Sequence, residues 1–274
     1  MSVFLFVPGD NGKRIVKALN SEADTVIIDL EDGVIPNKKV LARNTIIDTL
    51  KENPRLFSDK KLWLRINPEH TPWHDEDLLL INQIPSLDGI MLPKCETAYN
   101  IRSIENRLSL DLEIVPLIET ASGILHTQQL IDSSRWVKRV AFGSVDFAYD
   151  IGAEWTPSGI ERRYAMSQIV VLSRAAEGEP PIDAVFPQID DEESFKKDTL
   201  IGKQVGFFGK LVIHPKQAQW VNEIYSPSKE EIDWYRKVVE IYEESDDKGA
   251  VALDGKLIDL PVYLLARRYL ETSK

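Results

Sequence analysis

Residues 25–33 read Thr25-Val26-Ile27-Ile28-Asp29-Leu30-Glu31-Asp32-Gly33, an apolar β-branched run that breaks off into three carboxylates and a glycine. A strand this continuous in Val and Ile is expected where both faces of a sheet are covered. Working outward, seven more such runs occur, at Val3–Val7, Leu62–Ile66, Gly89–Leu92, Ile114–Ile118, Val140–Phe142, Ile182–Phe186 and Leu211–Ile213. Helical spacing fills Gly12–Leu19, Lys38–Leu50, Thr97–Leu108, Gly123–Ile131 and Gly159–Ala176 between them. Strand followed by helix, eight times over, predicts an α/β fold with a parallel sheet closed into a barrel, the TIM (β/α)₈ barrel, with an open doubly wound sheet as the alternative. Beyond the eighth run the pattern changes. Ser228 and Glu231 form a capping box, a helix runs to about Glu244, and a polar stretch covers Ser245–Gly249. Asp254-Gly255 predicts a tight hairpin turn, and Pro261–Leu270 a last helix. The expected division is a catalytic barrel over residues 1–225 and a C-terminal helix–hairpin–helix appendage over residues 226–274.

Composition narrows the partners. The chain has 274 residues, 33 Lys plus Arg and 44 Asp plus Glu, for a formal charge of −11. With no long basic run, nucleic acid is not an expected partner. The apolar runs fall far short of the roughly 18 residues that span a bilayer. A single cysteine, Cys95, excludes an intrachain disulfide and a thiolate zinc cluster. The first residues lack the features of a signal peptide, so a cytoplasmic location is expected.

Barrel enzymes build their sites from the loops after the strands. Those loops open here with Asp29, Glu31 and Asp32, then Asn67 just past Arg65, Lys94, Glu119, Asp146 and His214. Carboxylates converging on one rim repel one another unless a cation joins them. Acids without Cys and with few His favour a hard, oxygen-liganded ion, Mg²⁺ above all, with Glu119 and Asp146 as ligands and Glu31 and Asp32 on its waters. His70 and His74 are separated by Pro72, which breaks the helix that a paired zinc site would need. His126 reads as a plain helix residue, and His214 as a hydrogen-bonding residue of the rim. Pro8-Gly9-Asp10-Asn11-Gly12-Lys13-Arg14 lacks the spacing of a phosphate-binding P-loop, although Lys13, Arg14 and Lys17 share one helix face. No dinucleotide-binding or serine- or cysteine-hydrolase motif is present.

The strings LFVPGDNGKRIVKAL (5–19), ADTVIIDLEDGV (23–34), NKKVLAR (37–43), LRINP (64–68), MLPK (91–94), PLIETASGI (116–124), FGSVDFAYDIG (142–152), GFFGKLVIHPKQ (206–217) and DGKLIDLPV (254–262) follow one another in that order. In these the chain resembles the citrate lyase β-subunit-like family, malyl-CoA and citramalyl-CoA lyases included, of the HpcH/HpaI aldolase/citrate lyase superfamily. The resemblance spans Phe4 to Leu270. It implies a Mg²⁺-dependent TIM barrel and a homo-oligomer, trimer or hexamer, whose C-terminal segment reaches a neighbouring subunit's site. It further implies Glu119 and Asp146 as metal ligands, Glu31 and Asp32 on metal waters, and Arg65 at the thioester oxygen and substrate carboxylate. Asp259 would be the catalytic acid/base, and Phe6, Lys13 and Lys17 would contact coenzyme A. The implied reaction cleaves a 3-hydroxy-3-carboxyacyl-CoA into acetyl-CoA and a 2-oxo acid, or condenses them. A citryl thioester on a carrier protein, and thioester-free aldol cleavage of a 2-oxo acid, are the alternatives. Lys13 and Lys17 suit the phosphates that distinguish CoA from a carrier-bound arm. Two departures stand out: Leu257 replaces a common Met, and Pro187-Gln188 has no assigned role.

Overall fold

The computed structural model describes residues 2–54, 60–109, 111–245 and 249–272. Eight parallel strands close into a barrel: β1 (Ser2–Pro8), β2 (Thr25–Asp29), β3 (Lys61–Arg65), β4 (Gly89–Leu92), β5 (Glu113–Ile118), β6 (Ala141–Phe142), β7 (Ile182–Asp183) and β8 (Gly209–Val212). Closure is explicit, since Ser2 to Leu5 of β1 pair in register with Gly209 to Val212 of β8. That pairing removes the open-sheet alternative. Inward positions of all eight strands fill the interior, where Phe4, Ile27, Trp63, Met91, Val115, Leu117, Ala141, Ile182 and Leu211 form one packed cluster.

The surrounding helices are α1 (Gly12–Leu19), α2 (Lys39–Glu52), α3 (His74–Ile81), α4 (Ala98–Glu105), α5 (Ala121–Asp132), α6 (Ser144–Asp150), α7 (Arg163–Ala175), α8 (Glu192–Val205) and α9 (Pro215–Tyr225). Five coincide with the helical stretches read from the sequence. The other four, α3, α6, α8 and α9, carry polar faces that mask their periodicity, yet each has a start signal. Asp75, Glu76 and Asp77 crowd the first turn of α3, where the helix dipole favours acids. The Asp191 side chain accepts the Ser194 N–H at 3.0 Å to cap α8, and Pro215 opens α9.

The chain divides into two compact units, Ser2–Asn222 and Glu223–Lys274. In the second, α10 (Lys229–Glu244) begins with the expected capping box: Ser228 Oγ accepts the Glu231 N–H at 3.1 Å while Glu231 Oε2 accepts the Ser228 N–H at 2.8 Å. The polar stretch at 245–249 lies mostly outside the described residues. β9 (Val251–Leu253) and β10 (Lys256–Ile258) then pair antiparallel around Asp254-Gly255, with φ of 50° and 75°. Both turn residues are left-handed, as a two-residue hairpin turn requires. α11 (Leu260–Thr272) lies over α10, with Val238, Tyr242, Ile258 and Ala266 as their shared core.

Candidate active site

The carboxylate-rich rim forms where β2, β3, β5 and β6 end. Asp29 closes β2 with its side chain turned back over the barrel mouth, where it accepts two hydrogen bonds from Arg65 of β3: Nε to Oδ1 at 2.8 Å and Nη2 to Oδ2 at 2.6 Å. The same carboxylate accepts the backbone N–H groups of Glu31 and Gly33. Arg65 Nη1 meets Glu31 Oε2 at 2.8 Å, and the guanidinium lies 4.8 Å over the Phe6 ring. Burial opposes the charge of Arg65, but Asp29, Glu31 and Glu119 outweigh it and hold the guanidinium firmly protonated. A bidentate fork fixed at both ends is a rigid cation, aimed rather than merely present.

Glu119 ends β5 and is buried. Its Oε1 accepts the Lys94 backbone N–H at 2.7 Å. A Cβ at position 143 would stand 2.7 Å from Glu119 Oε2, so Gly143 keeps that side of the carboxylate clear. Burial, reinforced by the charges of Glu31 and Asp146, pushes Glu119 up to about 8. Glu31 is pushed up to about 7, again chiefly by burial, with Arg65 pulling the other way. Its buried Oε2 is held by the 2.8 Å ion pair with Arg65 Nη1 rather than by a well-aligned hydrogen bond. Asp146 lies in the first turn of α6, half-buried, and Asp32 is exposed. Arg65 thus faces three acids, Asp29, Glu31 and Glu119, with the Glu31 and Asp146 charges bearing on Glu119 as well, so negative charge gathers at this rim. Among the described residues no group of three or more acids, histidines or cysteines forms a complete ligand cage, but a pair of carboxylates completed by water or substrate oxygens is chemistry that suits Mg²⁺.

Beneath the loop that carries Glu31 and Asp32 lies a buried polar frame that the sequence reading did not single out. Lys39 Nζ donates to Leu30 O at 2.6 Å, Glu31 O at 2.7 Å and Asn67 Oδ1 at 2.7 Å. Asn67 donates its N–H and Nδ2 to Asp77 Oδ2, and Arg43 Nε donates to Asp77 Oδ1. The signal was available in NKKVLAR and LRINP. A lysine on the buried face of α2 and an asparagine after β3 need partners, and each finds the other.

The remaining expected residues fall elsewhere. Lys13 and Lys17 are exposed on α1, and Lys13 edges a groove of about 670 Å³ with Thr45, Thr49 and Glu52. Asp259 belongs to the C-terminal unit, half-buried at the start of α11, where its Oδ1 accepts the Val262 N–H at 3.2 Å. His214 Nδ1 accepts the Lys216 N–H, and His126 sits on α5 beside Ser122. The backbone around Pro187 is tied down by Gln217, whose Nε2 donates to Phe186 O at 3.1 Å. A cavity of about 480 Å³ also opens at the opposite end of the barrel, around Phe4, Trp63, Arg139 and Phe208, away from the carboxylates.

Comparison with known proteins points the same way as this geometry. Residues 2–215 match the profile described as HpcH/HpaI aldolase/citrate lyase. The citrate lyase subunit beta of Leuconostoc mesenteroides subsp. cremoris is 31% identical over 282 residues, covering 98% of this chain and 92% of its own. The mitochondrial citramalyl-CoA lyase of Homo sapiens is 32% identical over 280 residues, covering 94% of this chain and 81% of its own. Among solved structures, protein CitE from Mycobacterium tuberculosis in complex with magnesium, acetoacetate and coenzyme A superposes with a TM-score of 0.84 at 29% identity, covering 99% of this chain and 97% of that one.

Proposed function

The chain belongs to the HpcH/HpaI aldolase/citrate lyase family, and from that premise we propose that it is a Mg²⁺-dependent carbon–carbon lyase acting on a 3-hydroxy-3-carboxyacyl-CoA of the citramalyl-CoA or malyl-CoA type. The observation that carries this reading is the placing of buried Glu31 and Glu119 with half-buried Asp146 beside a guanidinium locked by Asp29. Magnesium held by Glu119 and Asp146 would polarise the hydroxyl and carboxylate oxygens of the substrate. Glu31 and Asp32 would orient the metal's waters. Cleavage to a 2-oxo acid leaves negative charge on the acetyl-thioester oxygen. Arg65 is suited to receive it, since its bonds to Asp29 and Glu31 fix its direction before charge develops. Phe6 lies against the guanidinium and is assigned a contact with the coenzyme A moiety. Asp259 is assigned proton transfer at the enolate carbon. If so, Asp259→Asn will slow exchange of the acetyl-CoA methyl protons by about 100-fold or more, and exchange at the wild-type rate would remove that role.

Asp259 reaches the chemistry, in this reading, as part of a C-terminal segment that serves a neighbouring subunit of a homo-oligomer. Support comes from the exposed apolar side chains of Leu257, Leu260, Leu264 and Leu265 on the C-terminal unit, which a protein partner would cover. Among the described residues no helix is long and apolar enough to cross a membrane. We place the enzyme in the cytoplasm.

Free CoA is favoured over a carrier protein because Lys13, at the edge of the groove, and Lys17, further along α1, are both exposed and available to phosphate groups that a carrier-bound arm lacks. Replacing both with alanine will raise KM for a CoA thioester about tenfold at low salt, and the difference will shrink as salt is added. An unchanged KM would favour the carrier-protein alternative. The deciding assay offers purified protein and Mg²⁺ a panel of malyl-, citramalyl- and citryl-CoA, scoring acetyl-CoA and 2-oxo acid released. Turnover of one, abolished by chelator, names the substrate. Activity on none, with metal bound, would move the assignment to a carrier-protein thioester or to thioester-free aldol cleavage.

A further inference from the structure

Lys94 holds a backbone conformation that its residue type resists. Its φ is 51°, in the left-handed region that costs a side chain with a Cβ and costs glycine nothing. Of the other described non-glycine residues with positive φ, Asp254 makes the hairpin turn and Glu177 follows α7; Lys94 alone lies at the carboxylate cluster. The strain has a backbone use, because it aims the Lys94 N–H at Glu119 Oε1. Glycine would supply that N–H equally well and without strain. The lysine side chain therefore needs a use of its own.

Its position suggests one. Arg65 is already committed to Asp29 and Glu31. Among the described residues Lys94 Nζ makes only a long ion-pair contact, 3.8 Å to Glu31 Oε1, and its side chain is 42% exposed. It lines a pocket of about 270 Å³ between Glu31, Asp32, Asn67, His70 and Thr71, at the edge of the carboxylate cluster. A substrate that brings its own carboxylate to this acidic rim meets repulsion from Glu31, Asp32, Glu119 and Asp146, which a divalent ion only partly cancels. A cation on a flexible stem, loosely held in the resting protein, can turn to the incoming group at little cost.

We propose that Lys94 is a substrate-binding residue, its ammonium pairing with a carboxylate of the 2-oxo acid half of the substrate. The inference rests on the lyase reading for its substrate class. The test uses full-length wild type, Lys94→Met and Lys94→Gly, with Mn²⁺ as the metal probe and pyruvate, glyoxylate and oxaloacetate as oxo-acid probes. Free Mn²⁺ is followed by its EPR signal, and oxo-acid binding to the Mn²⁺-loaded protein by calorimetry. Both variants should melt within about 3 °C of wild type, since the exposed side chain packs little. Their Mn²⁺ affinity should stay within about threefold, because glycine and methionine keep the N–H that faces Glu119. Oxo-acid affinity should fall about 30-fold, the scale of one charge-assisted contact, and Lys94→Arg should recover part of it.

Unchanged oxo-acid affinity in Lys94→Gly would overturn the proposal and leave the lyase reading standing. So would a parallel loss of Mn²⁺ binding, which would make Lys94 a positioning residue for Glu119. A wild type that binds Mn²⁺ but none of the three oxo acids also overturns it. Conversely, oxo-acid binding that depends on Lys94, in a wild type that cleaves no thioester, would sustain the proposal and sink the lyase reading instead.

Discussion

Glutamine at position 119 will give a protein that is more stable than wild type without metal, yet neither binds magnesium nor turns over substrate. Glu119 is pushed up to about 8 from an ordinary value of 4.5, first by burial and then by Glu31 and Asp146. The unfolded chain therefore ionises Glu119 near pH 4.5, while the folded, metal-free barrel keeps it protonated until about pH 8. Between those limits the unfolded state binds fewer protons than the folded one, so this group makes stability fall as pH rises. Below the window it costs nothing; above it the whole cost is felt, on the order of 5 kcal/mol. Glutamine stays neutral throughout and its carbonyl can still accept the Lys94 N–H. In chelator, the variant and wild type should melt together near pH 5 and diverge by several degrees at pH 8, with the variant higher. Added Mg²⁺ should raise the melting temperature of wild type by preferential binding to the folded state and leave the variant where it was. Turnover should drop by about 1,000-fold or more, since both the metal and its polarisation of substrate go together. A Glu119→Gln protein that still gains stability from Mg²⁺ would place the ion elsewhere.

What the sequence made legible here follows from which side chains announce themselves. Eight apolar runs set the barrel, because strands covered on both faces must be continuous in Val, Ile and Leu. The rim was visible for the complementary reason: Asp29, Glu31, Glu119 and Asp146 fall where such runs stop, and a carboxylate after a buried strand is conspicuous. Hidden in the sequence was which acid serves which end. Asp29 reads as one more member of an acidic loop, but in the fold both its oxygens accept from Arg65. Lys39 was hidden because a lysine on a helix is expected to face water, whereas this one is buried against two carbonyls and Asn67. The same expectation displaced a strand boundary. Reading β8 from Leu211 left out Lys210, a charge where a buried strand should be apolar, yet the strand begins at Gly209 and Lys210 is wholly buried. Single-residue patterns show burial and periodicity; they do not show pairing between residues tens of positions apart.

Lys210 carries the second large expectation. Its neighbour Leu211 points into the barrel, so Lys210 points outward from β8, beneath α8. There its Nζ donates to Asp183 Oδ2 at 2.6 Å and Asp198 Oδ2 at 2.7 Å, while Asp198 Oδ1 accepts from Arg162 Nη2 at 2.7 Å. Burial works against the ammonium, but the two aspartates outweigh it and hold Lys210 charged. The aspartates themselves diverge. Asp183 is fully buried and shares one cation, so burial pushes it up; Asp198 is also opposed by burial, but Lys210 and Arg162 together pull it below the usual range. Lys210→Met fills the space and removes the charge that both carboxylates depend on. Breaking a buried pair from one side strands the other charge, so the variant should lose about 3–5 kcal/mol, or about 6–20 °C in melting temperature for a unit of this size. The loss should be smaller at pH 5 than at pH 8, because the stranded Asp183 can take up a proton at the lower pH. Adding Asp183→Asn should return part of the stability, since Asp198 keeps Arg162 and no unpaired charge remains. If Lys210→Met melts with wild type at pH 8, the network contributes nothing net to the fold. If the double variant is no better than the single, the cost lies in lost packing rather than in a stranded carboxylate.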